Sequence, residues 1–246
     1  MEPSARAKPL VEVRDVRKVY RMGDESVVAL KRINLNVERG EICCIFGTSG
    51  SGKSTLLNQL AGMEKPTRGG VWIGGVPVSR LNEDALAAFR QQHIGFVFQS
   101  YNLLPNLTAT ENVAMPLMFR GVAKAQREEA ARKMLCRVGL SHRLDHFPSQ
   151  MSGGQQQRAG IARAFITRPD VVFADEPTGN LDSRTTVEVM KMICEFARHY
   201  HQTIILVSHD PEMAAFADRI VTLVDGEIVS DRRTKEKRNE SEENLL

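Results

Sequence analysis

The segment Gly47-Thr48-Ser49-Gly50-Ser51-Gly52-Lys53-Ser54 constrains this chain more than any other. It matches G-x-x-x-x-G-K-[ST], follows the apolar run Ile42 to Phe46 and precedes the helical pattern Thr55 to Leu60, the strand-loop-helix context such a loop requires. Glycines let the backbone curl so that successive N–H groups face inward. The following helix adds its positive N-terminal end, and together they form an anion cradle for phosphates. Lys53 supplies a full charge at the terminal phosphates, and Ser54 a hydroxyl for Mg²⁺, which takes oxygen ligands and few of them from protein. A merely flexible Gly/Ser turn explains neither the lysine nor the two flanks. A dinucleotide fingerprint fits poorly, because Gly50 and Gly52 begin G-x-G but Thr55 stands where the last glycine belongs.

Three more short apolar runs, Ile94 to Phe98, Val171 to Ala174 and Thr203 to Val207, are separated by helical patterns, as in a parallel sheet with crossover helices. The expected fold class is α/β: a P-loop NTPase with a mixed, mainly parallel sheet core, antiparallel β hairpins and an inserted helical subdomain. Each run ends on a polar group: the loop from Gly47, then Gln99, then Asp175 with Glu176, then His209. Ligands of open parallel sheets bind beyond the carboxyl ends of the strands, so these ends converge on one site. Strand alternation should point Asp175 and Glu176 apart, with Asp175 anchoring Mg²⁺ and Glu176 serving as general base toward water. Two solvated turn acids before Pro177 are the bland alternative. Gln99 and His209 can reach Mg²⁺, water or the γ-phosphate. A structural histidine is the alternative for His209, and Asp210-Pro211 also reads as a helix N-cap with proline in the first turn.

Hairpins are expected around Gly74-Gly75, between Val71–Ile73 and Val76–Val78, and around Asp225-Gly226; neither looks catalytic. The helical insertion spans roughly residues 100 to 165. Within it Gln126 to Val138 carries Ala130, Met134, Leu135 and Val138 on one side. The length, 246 residues, allows one large domain with such an insertion, here residues 10–230, followed by a charged, flexible tail over 231–246. Hydrophobic content of 42% and charged content of 26% exclude a disordered or fibrous chain. A net charge of +3 gives no case for nucleic acid. No apolar run approaches the roughly 20 residues needed to cross a bilayer, and the polar start has no secretory h-region. Cys43, Cys44, Cys136 and Cys194 have no zinc spacing and are expected to be reduced, cytosolic thiols.

Ser152-Gly153-Gly154-Gln155 reads as a capping box opening the helix Gln156 to Ile166, which leaves two glycines in a first turn unexplained. Bare N–H groups there suit a second anion contact. Taken in order, Gly47 to Thr55, Gln99, Met151 to Gln155, Asp175-Glu176, Gly179-Asn180-Leu181-Asp182 and His209 resemble the ABC ATPases, from about Leu10 to Ser230. Ile94 to Gln99, Asn102 to Pro105, Glu111-Asn112-Val113 and Asp175 to Asp182 look like the branch serving lipoprotein release, macrolide and peptide efflux, and cell division. Met151 replaces the usual leucine and Thr48 a common proline.

The resemblance implies ATP and Mg²⁺ as cofactors. ATP would be held by Gly47, Ser49, Gly50, Ser51, Gly52, Lys53, Ser54 and Thr55, with Tyr20 stacking on adenine. Ser54, Gln99 and Asp175 would face the metal, and Glu176, His209 and Gln99 the chemistry. It also implies that Ser152, Gly153, Gly154 and Gln155 contact the ATP held by Lys53 of a second copy, in a head-to-tail dimer, and it counts Asp182 among the nucleotide-binding residues. The remaining partner would be a separate membrane-spanning permease of the efflux or lipoprotein-release type, placing the chain at the inner face of the cell membrane. Leu103 to Pro105 and Met115 to Phe119 either receive that permease or form subdomain core. The other function classes are an ABC ATPase of translation or DNA maintenance, whose usual second cassette or coiled-coil insertion is missing here, and a division or signalling module that transmits force without cargo.

Overall fold

The computed structural model describes residues 8–23 and 25–234. The chain opens with two long strands, β1 (Val11–Met22) and β2 (Glu25–Val37), then β3 (Ile42–Phe46), helix α1 (Lys53–Leu60) and β4 (Arg68–Ile73). Helix α2 (Glu83–His93) leads into β5 (Ile94–Val97). Three helices follow: α3 (Ala109–Phe119), α4 (Lys124–Arg137) and α5 (Gly153–Phe165). The chain then alternates through β6 (Val171–Asp175), α6 (Ser183–His199), β7 (Thr203–Ser208) and the short α7 (Pro211–Ala214), and closes with β8 (Arg219–Val224) and β9 (Glu227–Arg233).

The central sheet has the order β5-β6-β7-β3-β8-β9; every neighbouring pair is parallel except β8 with β9. All four apolar runs of the sequence are thus contiguous strands, β5-β6-β7-β3, and their carboxyl ends share one edge. Both faces of this sheet are covered, which is why its strands are continuously apolar rather than alternating. Ile42, Cys44, Val172, Ala174, Ile204 and Leu206 pack with the helices on one side. Cys43, Ile45, Val171, Phe173, Ile205 and Val207 face α1 and the antiparallel sheet β2-β1-β4 on the other. Burial pushes the Cys44 thiol up to about 12, so it stays neutral and packs as a small apolar group.

Local signals place the helix starts. Thr108 with Glu111 and Ser152 with Gln155 close capping boxes on α3 and α5, Asn82 caps α2, and Asp210 caps α7 with Pro211 in its first turn. Four details differ from the sequence reading. The strand beginning at Val76 shrinks to a single bridge with Ile73, because Pro77 cannot donate and Val78–Arg80 turn into a 3₁₀ helix. In α4 the buried side is Ala131, Met134 and Leu135, continued by Val138, with Ala130 half-exposed, since 131, 134, 135 and 138 hold the helical spacing better. Helix α5 starts at Gly153 and ends at Phe165, not at Gln156 and Ile166, because Ser152 caps it directly. Strand β9 runs to Arg233, where the pairing of Arg219 with Arg233 carries regular structure past Ser230. Residues 235–246 of the charged tail lie outside the described residues.

Candidate active site

Between β3 and α1 the loop closes tightly. A Cβ on Gly52, whose φ is +100°, would lie 2.7 Å from the Ala29 carbonyl oxygen, and one on Gly47 would lie 2.4 Å from that of Leu223. Gly52 leads α1 with no side-chain cap and no acidic residue in the first turn, so that turn's N–H groups remain for an anion. Lys53, itself buried, donates from Nζ to the Thr48 carbonyl at 2.8 Å, lying back along the loop. Ser54 Oγ donates to Asp175 Oδ1 at 3.4 Å, joining the phosphate loop to the end of β6. Burial pushes the Asp175 carboxyl above the usual carboxylate range; the Ser54 hydroxyl and the Lys53 charge oppose the shift.

Glu176 stands beyond the last strand residue rather than inside the strand. Its φ of +42° and its N–H, bonded to the Val207 carbonyl at 3.2 Å, aim its side chain, not strand alternation as the sequence suggested. A left-handed glutamate is strained backbone held by its surroundings, a pattern that concentrates at working sites. His209, just past β7, places Nδ1 3.0 Å from Glu176 Oε1. Lys53, Ser54, Thr55 and Glu176 line a cleft of about 480 Å³ whose other walls include Val27, Val28, Asp225 and Gly226.

The remaining candidates stand elsewhere. Tyr20 is not on the cleft wall: its hydroxyl donates to Glu64 Oε2 at 2.7 Å, and Lys18 Nζ lies 5.0 Å over its ring. Its cross-strand partner Val27 is on the wall. Gln99 presses its side-chain amide against Gly179, where an added Cβ would meet Nε2 at 2.7 Å. Its carbonyl accepts from Asn180 Nδ2 at 3.1 Å. Asp182 caps α6, accepting from Thr185 N at 3.0 Å and from its Oγ1 at 2.7 Å, bonds that hold its carboxyl below the usual range. Ser152 to Gln155 lie off the cleft wall. The two glycines there have a packing reason invisible in the sequence: a Cβ on Gly153 would lie 2.7 Å from the Tyr101 hydroxyl, and one on Gly154 2.8 Å from Thr185 Cγ2.

Residues 30–179 match the family described as ABC transporter. The chain belongs to that family. Among its relatives is the macrolide export ATP-binding/permease protein MacB of Vibrio parahaemolyticus, 49% identical over 222 residues, which are 90% of this chain and 34% of that protein. The MacB of Shigella flexneri is 46% identical over 231 residues, 94% of this chain and 36% of that protein. The chain therefore spans about a third of the length of the curated relatives it matches. A dimeric ATP-binding cassette, solved in a post-hydrolysis state bound to ADP and Pi, superposes with a TM-score of 0.86 at 41% identity, covering 92% of this chain and 99% of that one. The P-loop NTPase core and the inserted helices are thus those of an ABC cassette, and the chain is an ATP-binding ATPase.

This cassette has a second cavity, about 540 Å³ and largely apolar, between the β5 edge and the inserted helices. Phe96, Phe98, Met115, Pro116 and Phe119 line it, and Phe119 is 64% exposed. Of Met115 to Phe119, Met115, Pro116 and Phe119 therefore supply groove wall, whereas Leu103 packs against the core and Leu104 is exposed. Sequence reasoning missed Val27, Val28 and the Asp225-Gly226 turn as parts of the nucleotide cleft. The turn was legible as a hairpin, but its bond from Gly226 N to the Ser51 carbonyl at 3.0 Å, which sets it beside the phosphate loop, is a tertiary fact. Among the described residues no helix is long and apolar enough to cross a membrane.

Proposed function

We propose that this ATPase powers a membrane permease of the macrolide-export type, acting as one half of a head-to-tail pair that holds two ATP molecules between its members. The observation that carries the reading is the chain of contacts across three strand ends: Lys53 and Ser54 after β3, Ser54 to Asp175 at the end of β6, and Glu176 to His209 after β7. Phosphate-binding backbone, two oxygen donors and a carboxylate–imidazole pair stand together on one sheet edge, where phosphoryl transfer needs positioning and electrostatic stabilisation above all.

The donor set fits Mg²⁺. A serine hydroxyl and a carboxylate in contact supply oxygen only, and the cost of burying the Asp175 charge falls when a cation faces it. Bound there, Mg²⁺ would neutralise charge on the phosphate oxygens. Lys53 swings from the Thr48 carbonyl to the terminal phosphates. Glu176 Oε accepts the proton of the attacking water, and His209 holds the carboxylate and offers a donor toward the γ-phosphate. Gln99, two residues beyond β5, would turn from Gly179 to meet the same metal or water from the fourth strand.

The apolar groove suits the coupling element of the permease, which would hold the chain on the inner face of the membrane. The kinship with macrolide-export proteins supports that type of permease; those relatives carry ATP-binding and permease parts under one name. Assembly is tested by light scattering on Glu176→Gln. The account expects a doubling of mass with ATP and none with ADP, because the two γ-phosphates join opposed surfaces. One mass in ATP, ADP and buffer alone would remove the sandwich.

A further inference from the structure

Arg163, near the end of α5, lines the apolar groove and reaches the segment that follows Gln99. Its Nη2 donates to the Tyr101 carbonyl at 2.8 Å and its Nη1 to the Asn102 carbonyl. Both acceptors have left-handed backbone, φ +61° at Tyr101 and +47° at Asn102, a shape that persists only where neighbours impose it. A planar guanidinium suits this task because it presents two parallel donors to two adjacent carbonyls, and a lysine cannot. The other end of Tyr101 meets the same helix, its hydroxyl filling the space that Gly153 leaves open. Tyr101 thus spans α5 from its last turns to its first. On the near side of the segment, Gln99 is held by Gly179 and Asn180 of the loop after β6.

We infer that Arg163 is a positioning residue: it clamps Tyr101 and Asn102 to α5, so that the groove wall, the signature at the start of α5 and the side chain of Gln99 move as one piece. The inference deepens the proposed function and rests on its reading of Gln99. Burial of the guanidinium, which pulls its pKa below the ordinary value, fits a charge retained for a specific bond. A second half-buried arginine supplies the contrast. Arg120 donates to the carbonyls of Gln91, Gln92 and Thr167, tying α3 to the ends of α2 and α5 beside the same groove, without touching the segment after Gln99.

The experiment compares Arg163→Lys, Arg120→Lys and Gln99→Ala in the full chain by steady-state ATP hydrolysis, and follows amide hydrogen exchange. Arg163→Lys should lower kcat by roughly tenfold while KM changes by less than about twofold, since a misplacement of about 1 Å can cost up to about 10²-fold in rate. Arg120→Lys should keep kcat within about twofold of the parent. In Arg163→Lys the amides of Tyr101 and Asn102 should exchange about tenfold faster. The Leu104 amide, bonded to Asn112 Oδ1 at 2.7 Å and not to the arginine, should not change. Unchanged exchange at Tyr101 and Asn102 overturns the clamp whatever the rate does. Faster exchange with unchanged kcat overturns the link to Gln99, provided Gln99→Ala itself slows turnover; if Gln99→Ala is fully active, the role given to Gln99 has failed and exchange alone decides the clamp. Should Arg163→Lys not fold, the unmodified chain decides: protection of the Tyr101 and Asn102 amides like that of α5 supports the clamp, and exchange at the speed of an open loop overturns it.

Discussion

Two helix starts in this chain carry glycine for different reasons. At α1, Gly52 adopts a conformation that side chains rarely tolerate, no side chain caps the first turn, and its amides remain open to an anion. At α5, Ser152 and Gln155 close a complete capping box, and the glycines make room for Tyr101 and Thr185. The first start is surrounded by the groups it works with: Lys53 lies back on the Thr48 carbonyl of the same loop, Ser54 bonds Asp175 at the end of β6, and the next residue, Glu176, pairs with His209. The second is self-sufficient, and nothing on its own chain needs it as a ligand. Its capping box occupies the amides of Ser152 and Gln155 and leaves those of Gly153 and Gly154 outside. A phosphate site and a separate, already capped helix start on the same chain are what the proposed pairing requires, with each chain completing the site of another.

The largest effects should come from the first start. Lys53→Ala removes the charge that gathers the phosphates, and nucleotide titration should show productive ATP binding abolished. Glu176→Gln should bind ATP as the parent does and release phosphate about 10²- to 10⁴-fold more slowly, the range for losing a general base. Near-normal turnover in Glu176→Gln would take that role from the residue and break the contrast between the two starts.

A smaller effect sharpens it. Because burial raises the Asp175 carboxyl, folding favours its protonated form; that contribution is present below the ordinary carboxylate range and is lost as the pH rises through the raised value. At neutral pH the ionised group is then a net cost in the nucleotide-free chain. Asp175→Asn should raise Tm by about 1 °C at pH 7, the size that about 0.5 kcal/mol takes in a domain of this length, and lose that advantage at about pH 3. A fall in Tm at pH 7 would show that the carboxylate is a structural partner rather than one kept for a cation.

The parts legible in the sequence are those that chemistry fixes locally. Ile42–Phe46 was readable as a strand because both its faces are apolar, and Gly47 to Ser54 because a phosphate cradle needs those residue types at that spacing. What stayed hidden depends on contacts distant in sequence. Glu176 was placed by strand alternation, but a left-handed turn aims it. Tyr20 reads as a strand-end aromatic, yet Glu64 holds its hydroxyl and Lys18 covers its ring, while Val27 across the strand lines the cleft. Nor can any local pattern announce that Arg163 meets Tyr101, because the two lie in different elements and join only when α5 packs beside the end of β5.

The central claim, that each nucleotide site is shared, is tested most directly by two mixed dimers. Ser152→Asp is the suitable lesion for the signature: aspartate caps a helix as well as serine, so its own chain keeps the cap while a negative charge faces the partner's phosphates. Pairing a Lys53→Ala chain with a Ser152→Asp chain places both lesions in one site and leaves the other intact, whereas pairing the double variant with the parent chain places one lesion in each. The account predicts that the first dimer keeps about half the parental ATPase activity and the second almost none. Half activity in the second dimer with none in the first would mean that each chain hydrolyses ATP alone, contradicting the shared site.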